Sequence, residues 1–194
     1  MMALGDGNAA ATRAVIDASE PYMTAAGATS VRGSAILTGA NTGKALVSSV
    51  WDSPDGYFDN RASWLADPKV VAAFGEAGIT STQVTMAEIT AERGTCEGKY
   101  GVGVFQTGTD FSQAAVDQVV DAVEASMIGQ GANGLRTTRI LTGENTGMAL
   151  GVFFIDSLSD FFGTLPNLLA DADMVAGFQR AGLVTQMRSI TQTI

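Results

Sequence analysis

Read for hydrophobic and polar positions alone, the second half of the chain resolves into elements more sharply than the first. Tyr100 to Thr107 is a strand-like run, and Asp110-Phe111-Ser112 supplies a polar helix start. Ala115, Val119, Ala122 and Val123 then recur at helical spacing, with Val116, Val120 and Met127 widening the apolar stripe. Gly129, Gly131 and Gly134 end that helix. Arg136 to Leu141 and Met148 to Ile155 read as two strands joined as a hairpin through the Gly143 to Gly147 turn. Ser157 is the N-cap of a second helical region, where Phe161, Phe162, Leu165, Leu168, Leu169, Val175 and Phe178 recur every three or four residues. Gly182 stops it, and Val184 to Thr193 closes with a strand, giving the order β-α-β-β-α-β.

The same grammar occurs once already. Asn8 to Thr90 aligns with Ser112 to Ile194 at a constant offset of 104 residues, without a gap. Ile36 to Gly43 repeats as Ile140 to Gly147 with one change, Asp52-Ser53 as Asp156-Ser157, and Leu65-Ala66-Asp67 as Leu169-Ala170-Asp171. From Val31 to Thr90 there are 21 identities in 60 positions, so two copies of one folding unit are fused in tandem. The copies are taken as residues 1–97 and 98–194, each the size of a small domain. Ser53-Pro54 and Asp67-Pro68 are both N-cap and first-turn pairs, which predicts that the second helical region breaks near residue 67. Met1 corresponds to Phe105, so the opening strand of the first copy is expected to be short or missing. Compensation by another strand and truncation of the N-terminus both remain open.

This strand order is the ferredoxin-like pattern. In Met148 to Ile155 both strand faces are apolar, unlike a half-solvated sheet. One face takes the helices, and the sheet of the other copy is the natural cover for the second. The expected fold is therefore α+β: two ferredoxin-like βαββαβ repeats packed sheet to sheet as a pseudo-dimeric α+β barrel. With Gly-x-Asn-Thr-Gly between two strands, then Asp-Ser, an aromatic helix and Leu-Ala-Asp, the chain resembles the dimeric α+β barrel superfamily near its NIPSNAP and stress-responsive groups. The likeness is clearest over residues 31–82 and 135–186. It implies a fold shared by cofactor-free monooxygenases, haem enzymes, isomerases, decarboxylases and small regulators, so it does not choose a chemistry.

Composition narrows that range. There is no histidine, which removes the proximal ligand of the haem branch and the commonest general base. Cys96 is the only cysteine and has no partner type for a zinc site. No metal and no cofactor is expected. Net charge is −9 without a basic cluster, which argues against nucleic acid and anionic membranes as partners. No apolar run reaches the ~18–20 residues of a membrane span, and no signal peptide is read at the start. A cytoplasmic protein is the expectation, and homodimerisation would cover the sheet edge left by the incomplete first strand.

Candidate chemistry is sparse. Trp51, Tyr57 and Trp64, accompanied by Asn60 and Arg61, stand where the second copy has Ile155, Phe161 and Leu168. Amphipathic aromatics in one copy only are what a pocket with polar tips requires, although aromatic core packing is the commoner use. Asp52 pairs through the repeat with Asp156, as an acid–base pair or as helix caps with the adjacent serines. Arg32 pairs with Arg136, to hold an anionic substrate or to form strand-end salt bridges. Gly39 to Lys44 falls short of a phosphate loop by one residue, and the second copy has Met148 at Lys44, so a hairpin turn with positive φ or local bonds at Asn41 and Asn145 is expected. Gly5-x-Gly7-x-x-Ala10 lacks the preceding strand and parallel βαβ context of a dinucleotide site. Cys96 has no histidine to activate it. These residues suggest a protein that binds a small apolar or aromatic molecule, with or without cofactor-free chemistry. The alternative is a non-enzymatic structural or regulatory assembly protein.

Overall fold

The computed structural model, which describes residues 1–80 and 82–194, divides the chain into two units, Met1–Met86 with Gln192–Ile194, and Ala87–Thr191. The first unit runs β1 (Met2–Gly5), α1 (Ala9–Ala25), β2 (Ala28–Ile36), β3 (Ala45–Trp51), α2 (Pro54–Leu65), α3 (Pro68–Glu76) and β4 (Thr82–Thr85). Its strands lie in the order β4-β1-β3-β2, with each neighbouring pair antiparallel. The second unit runs β5 (Ala87–Gly94), β6 (Tyr100–Thr107), α4 (Gln113–Met127), β7 (Gly134–Ile140), β8 (Ala149–Ile155), α5 (Leu158–Ala170), α6 (Ala172–Ala181) and β9 (Val184–Thr193, to Thr191 in this unit). Its order is β9-β6-β8-β7-β5, the same arrangement with one strand added at the edge. The fold is α+β, and each unit is ferredoxin-like. β1 is four residues long against eight in β6. β5 lies in sequence within the first copy but pairs with β7, so the division in space does not coincide with the repeat boundary at 97 and 98.

Local chemistry explains why the second helical region breaks. Ser53 accepts from Asp55 N to start α2, and Asp67 accepts from Lys69 N to start α3. Each cap is followed by proline in the first turn, where a missing N–H costs nothing. In the second unit Asp171 caps α6 by accepting from Asp173 N and Met174 N. Both cap aspartates also accept a hydroxyl from the unit's first long helix. Tyr22 Oη donates to Asp67 at 2.6 Å, and Ser126 Oγ donates to Asp171 at 2.9 Å. Tyr22 and Ser126 are repeat-equivalent, as are the aspartates, so one clasp is built twice. The Tyr22 hydroxyl and the Lys69 amide hold the Asp67 carboxyl below its ordinary range, and the Met174 amide and Ser126 hydroxyl do the same for Asp171.

The Gly39 to Lys44 segment is a turn. Gly43 N donates to Ile36 O at 2.9 Å, and Lys44 Nζ donates to Asn41 Oδ1 at 3.0 Å. The positive φ falls on Gly39 and Gly43, and on Gly143 and Gly147 in the second unit. Among the described residues no non-glycine residue adopts it, so of the two expectations for the turn asparagines Asn41 meets the local side-chain bond and neither asparagine takes positive φ. Glycine takes that conformation without the Cβ clash an asparagine would bring.

The two cores differ in kind. The second unit has one cluster around Val120, Met127, Ile155, Phe161 and Leu168. The first has two smaller clusters, one of Met23, Ala28, Tyr57 and Trp64, the other of Val15, Ala73 and Ala77.

Candidate functional site

A cavity of about 80 Å³ touches both clusters of the first unit. Its floor is sheet. Ala3 of β1 is in register with Val47 of β3 and Val84 of β4, so these three side chains share one face, with Ser49 and Gly5 on the same parity. Its roof is helix: Thr12, Val15, Ser19 and Met23 from α1, Tyr57, Arg61, Trp64 and Leu65 from α2, and Phe74 from α3. The spacing 57, 61, 64 places the α2 side chains on one helix face.

The predicted aromatic residues come together. Trp51 and Trp64 stack at 5.9 Å and 19°, and Tyr57 sits edge-on to both, at 5.7 Å from Trp51 and 5.5 Å from Trp64. Tyr57 and Trp64 line the cavity and are buried. Trp51 is not among the lining residues. It stands behind the wall and donates its indole N–H to Ser49 Oγ at 2.8 Å, so it orients a residue that does line it.

Two polar groups in this wall have no protein partner among the described residues. The Tyr57 hydroxyl makes no hydrogen bond although the residue keeps only 5% of its surface. Among the described residues no sealed side-chain oxygen or nitrogen is left unpaired, so that hydroxyl keeps some accessible surface, and Tyr57 lines the cavity. Arg61 is half-buried and makes neither hydrogen bond nor ion pair. Thr12 and Ser19 are instead satisfied within α1, by Asn8 O at 2.9 Å and Val15 O at 2.8 Å.

The second unit has a cavity of about 70 Å³ at equivalent positions. At offset 104, Thr12, Ser19, Ser49, Tyr57, Arg61 and Trp64 face Val116, Val123, Phe153, Phe161, Leu165 and Leu168. At these six positions an apolar side chain is replaced by one with a polar group, while Ala3, Gly5 and Val84 run the other way against Thr107, Thr109 and Arg188. The serines, threonine and arginine were not part of the aromatic signal, yet the same repeat alignment carries them. Arg188 lines the second cavity from an exposed position on β9.

Arg32 and Asp52 do not join the cavity. Arg32 lies in mid-strand on β2, one residue from Gly33, whose missing Cβ would point at Ile16 of α1; by strand alternation Arg32 points away from the helices. Asp52 is exposed just before the Ser53 cap. Its counterpart Asp156 accepts from Asn133 Nδ2 at 2.9 Å and Lys99 N at 3.1 Å, which lowers its pKa and leaves it a fixed anion in a loop. Arg136 pairs with Glu92 at 2.5 Å on neighbouring strands. Around Gly5 to Ala10, Asn8 caps α1 and Asp6 accepts from Thr80 N and Oγ1, so the glycines serve a tight helix start packed on Ile79. Cys96 lies 3.6 Å from Glu92 Oε1, an anion that disfavours a thiolate. Among the described residues no group of three or more carboxylates or thiols gathers where it could hold a metal ion, and no helix is long and apolar enough to cross a membrane.

No family model and no curated protein matches the sequence. Solved structures do. A candidate monooxygenase from Lactobacillus acidophilus NCFM superposes with a TM-score of 0.60 at 9% identity, covering 100% of this chain and 92% of its own. An anthrone oxidase-like protein gives 0.58 at 15% identity, covering 100% and 90%. A haem-binding protein from Thermus thermophilus gives 0.56 at 6% identity, again covering 100% and 90%. At these identities the likeness is one of fold, and the fold is that of the dimeric α+β barrels.

Proposed function

We propose that the first unit binds a small apolar or aromatic molecule in the cavity beneath α1, α2 and α3. The observation that carries this reading is the set of six exchanges around the cavity, each putting a polar group where the second copy has an apolar side chain. Core packing alone gives no reason to place an unbonded tyrosine hydroxyl and an unpaired arginine beside an otherwise largely apolar cavity. Apolar walls with a few oriented polar groups are the usual make-up of a small-molecule site. A cavity of about 80 Å³ is well below the ~300–1,000 Å³ of drug-sized sites, which limits the guest to about one ring or a short branched chain. That size does not fit haem, and the chain offers no histidine to ligate it. The candidate monooxygenase and the anthrone oxidase-like neighbour are in keeping with an organic guest.

The test is thermal unfolding of the whole chain with increasing toluene or phenol. Binding to the folded state raises Tm with ligand concentration. Ala3→Leu, which fills the cavity from β1, should remove that response while the protein still melts cooperatively. No Tm shift up to the solubility limit of either probe, or an undiminished shift in the variant, would overturn the assignment.

A further inference from the structure

We infer that the guest is a small monocarboxylate, with its tail in the cavity and its carboxylate held by Arg61 and Tyr57. This rests on the binding role proposed above and adds the chemical class. The chain has 20 acidic residues against 11 basic ones, so an arginine can readily find an anion. Four of the eight do: Arg13 pairs with Asp17, Arg93 with Asp121 and Glu124, Arg136 with Glu92, and Arg139 with Glu88. Arg61 pairs with none among the described residues, is half-buried, and lines a cavity whose wall contains no aspartate or glutamate. A guanidinium kept without a protein anion beside a cavity is a receptor for an anion that arrives with the ligand.

The geometry favours a carboxylate. Arginine presents a planar fork of donors that matches the two oxygens of a carboxylate. Tyr57 lies one helical turn before Arg61 on the same face of α2, with an unbonded hydroxyl able to donate to the same group. Two donors of one net charge balance a single carboxylate, whereas a phosphate dianion would stay under-neutralised. A dicarboxylate would press its second charge against Val15, Val47, Leu65 and Phe74, where burial of an unpaired charge is prohibitive. The equivalent places in the second unit hold Phe161 and Leu165, which offer neither the hydroxyl nor the cation.

The experiment titrates benzoate, 3-methylbutanoate and toluene into wild-type protein, Arg61→Leu, Arg61→Lys and Tyr57→Phe, by calorimetry and thermal shift. Both R61L and Y57F borrow the residue of the second copy, so the fold has a precedent for each. Benzoate should bind more tightly than toluene in the wild type and lose affinity with added salt. R61L should weaken benzoate about ten- to hundredfold, the range for loss of a charge-assisted hydrogen bond, and leave toluene nearly unchanged. R61K should recover part of the loss, and Y57F should cost less than R61L. Arg188→Leu should change nothing. Toluene binding at least as tight as benzoate, or R61L without effect on benzoate, overturns the carboxylate assignment and leaves the cavity reading standing. No binding of any probe overturns both.

Discussion

Trp64→Leu puts the residue of the second copy, Leu168, into the first and removes the largest side chain in the cavity wall. Trp64 is 4% exposed and packs on two rings, stacked on Trp51 at 5.9 Å and edge-on to Tyr57 at 5.5 Å. Truncating a buried tryptophan to alanine costs about 3–5 kcal/mol. Leucine restores part of the burial but neither ring contact, each of which is worth about 0.5–1.5 kcal/mol. A loss of about 2–3 kcal/mol follows from those ranges. If the chain melts in one transition, at ~2–4 °C per kcal/mol, Tm falls by roughly 4–12 °C. The same change enlarges the cavity, so the toluene-induced shift measured relative to the variant's own Tm should persist or grow. Differential scanning calorimetry with and without toluene reads both quantities. A fall below about 2 °C would show that Trp64 does not hold the first core together. Complete loss of the toluene response in a cooperatively folded variant would contradict a site whose apolar volume has grown.

Other consequences follow from the caps and the excluded candidates. The folded pKa of Asp67 and Asp171 is lowered, so their contribution is present above the unfolded value of about 3.9 and is lost as pH falls through the folded value. Stability should therefore drop in acid, and Asp67→Asn should flatten that limb of a Tm-against-pH curve. The Tyr22 pKa is raised, chiefly by its bond to Asp67, so its contribution is present below about pH 10 and lost on further alkalinisation; Tyr22→Phe should flatten the alkaline limb. Asn8→Ala removes the bond to Ala11 N and should cost about 1 kcal/mol in urea unfolding. Asp52→Asn should change stability by less than about 0.5 kcal/mol and leave every ligand titration unchanged; a lost ligand response would return Asp52 to the site.

Much of this architecture was legible because the two copies inform each other. The stripe from Ala115 to Met127 and the Ser-x-x caps give the helices, and Asp67-Pro68 marks the break that separates α2 from α3. The pairing of β5 was not legible. Ala87 to Gly94 carries no local mark that distinguishes it from a continuation of β4, and its partners on β7 lie forty or more residues on, beyond the reach of local pattern. For the site, aromatic identity pointed to Tyr57 and Trp64, which line the cavity, while Arg32 and Asp52, singled out by their pairing through the repeat, lie away from it. Agreement between repeats reports what both need, which is the turn, the strand and the cap. The cavity is marked by disagreement between repeats, at Ser19, Ser49 and Arg61 as well as at the aromatics. Small polar residues draw little notice singly, and only the sheet and helix geometry shows that they converge.

On the proposed reading the guest sits in the first unit and not at the equivalent place in the second. Methyl-resolved NMR of the whole chain during benzoate titration tests it most directly, because both cavities carry methyl groups. Saturable shifts at Met23, Val47, Leu65 and Val84, with Val104, Val119, Leu165 and Met174 unmoved, are the result expected. Shifts confined to the second set, or no saturable shift in either, would contradict it.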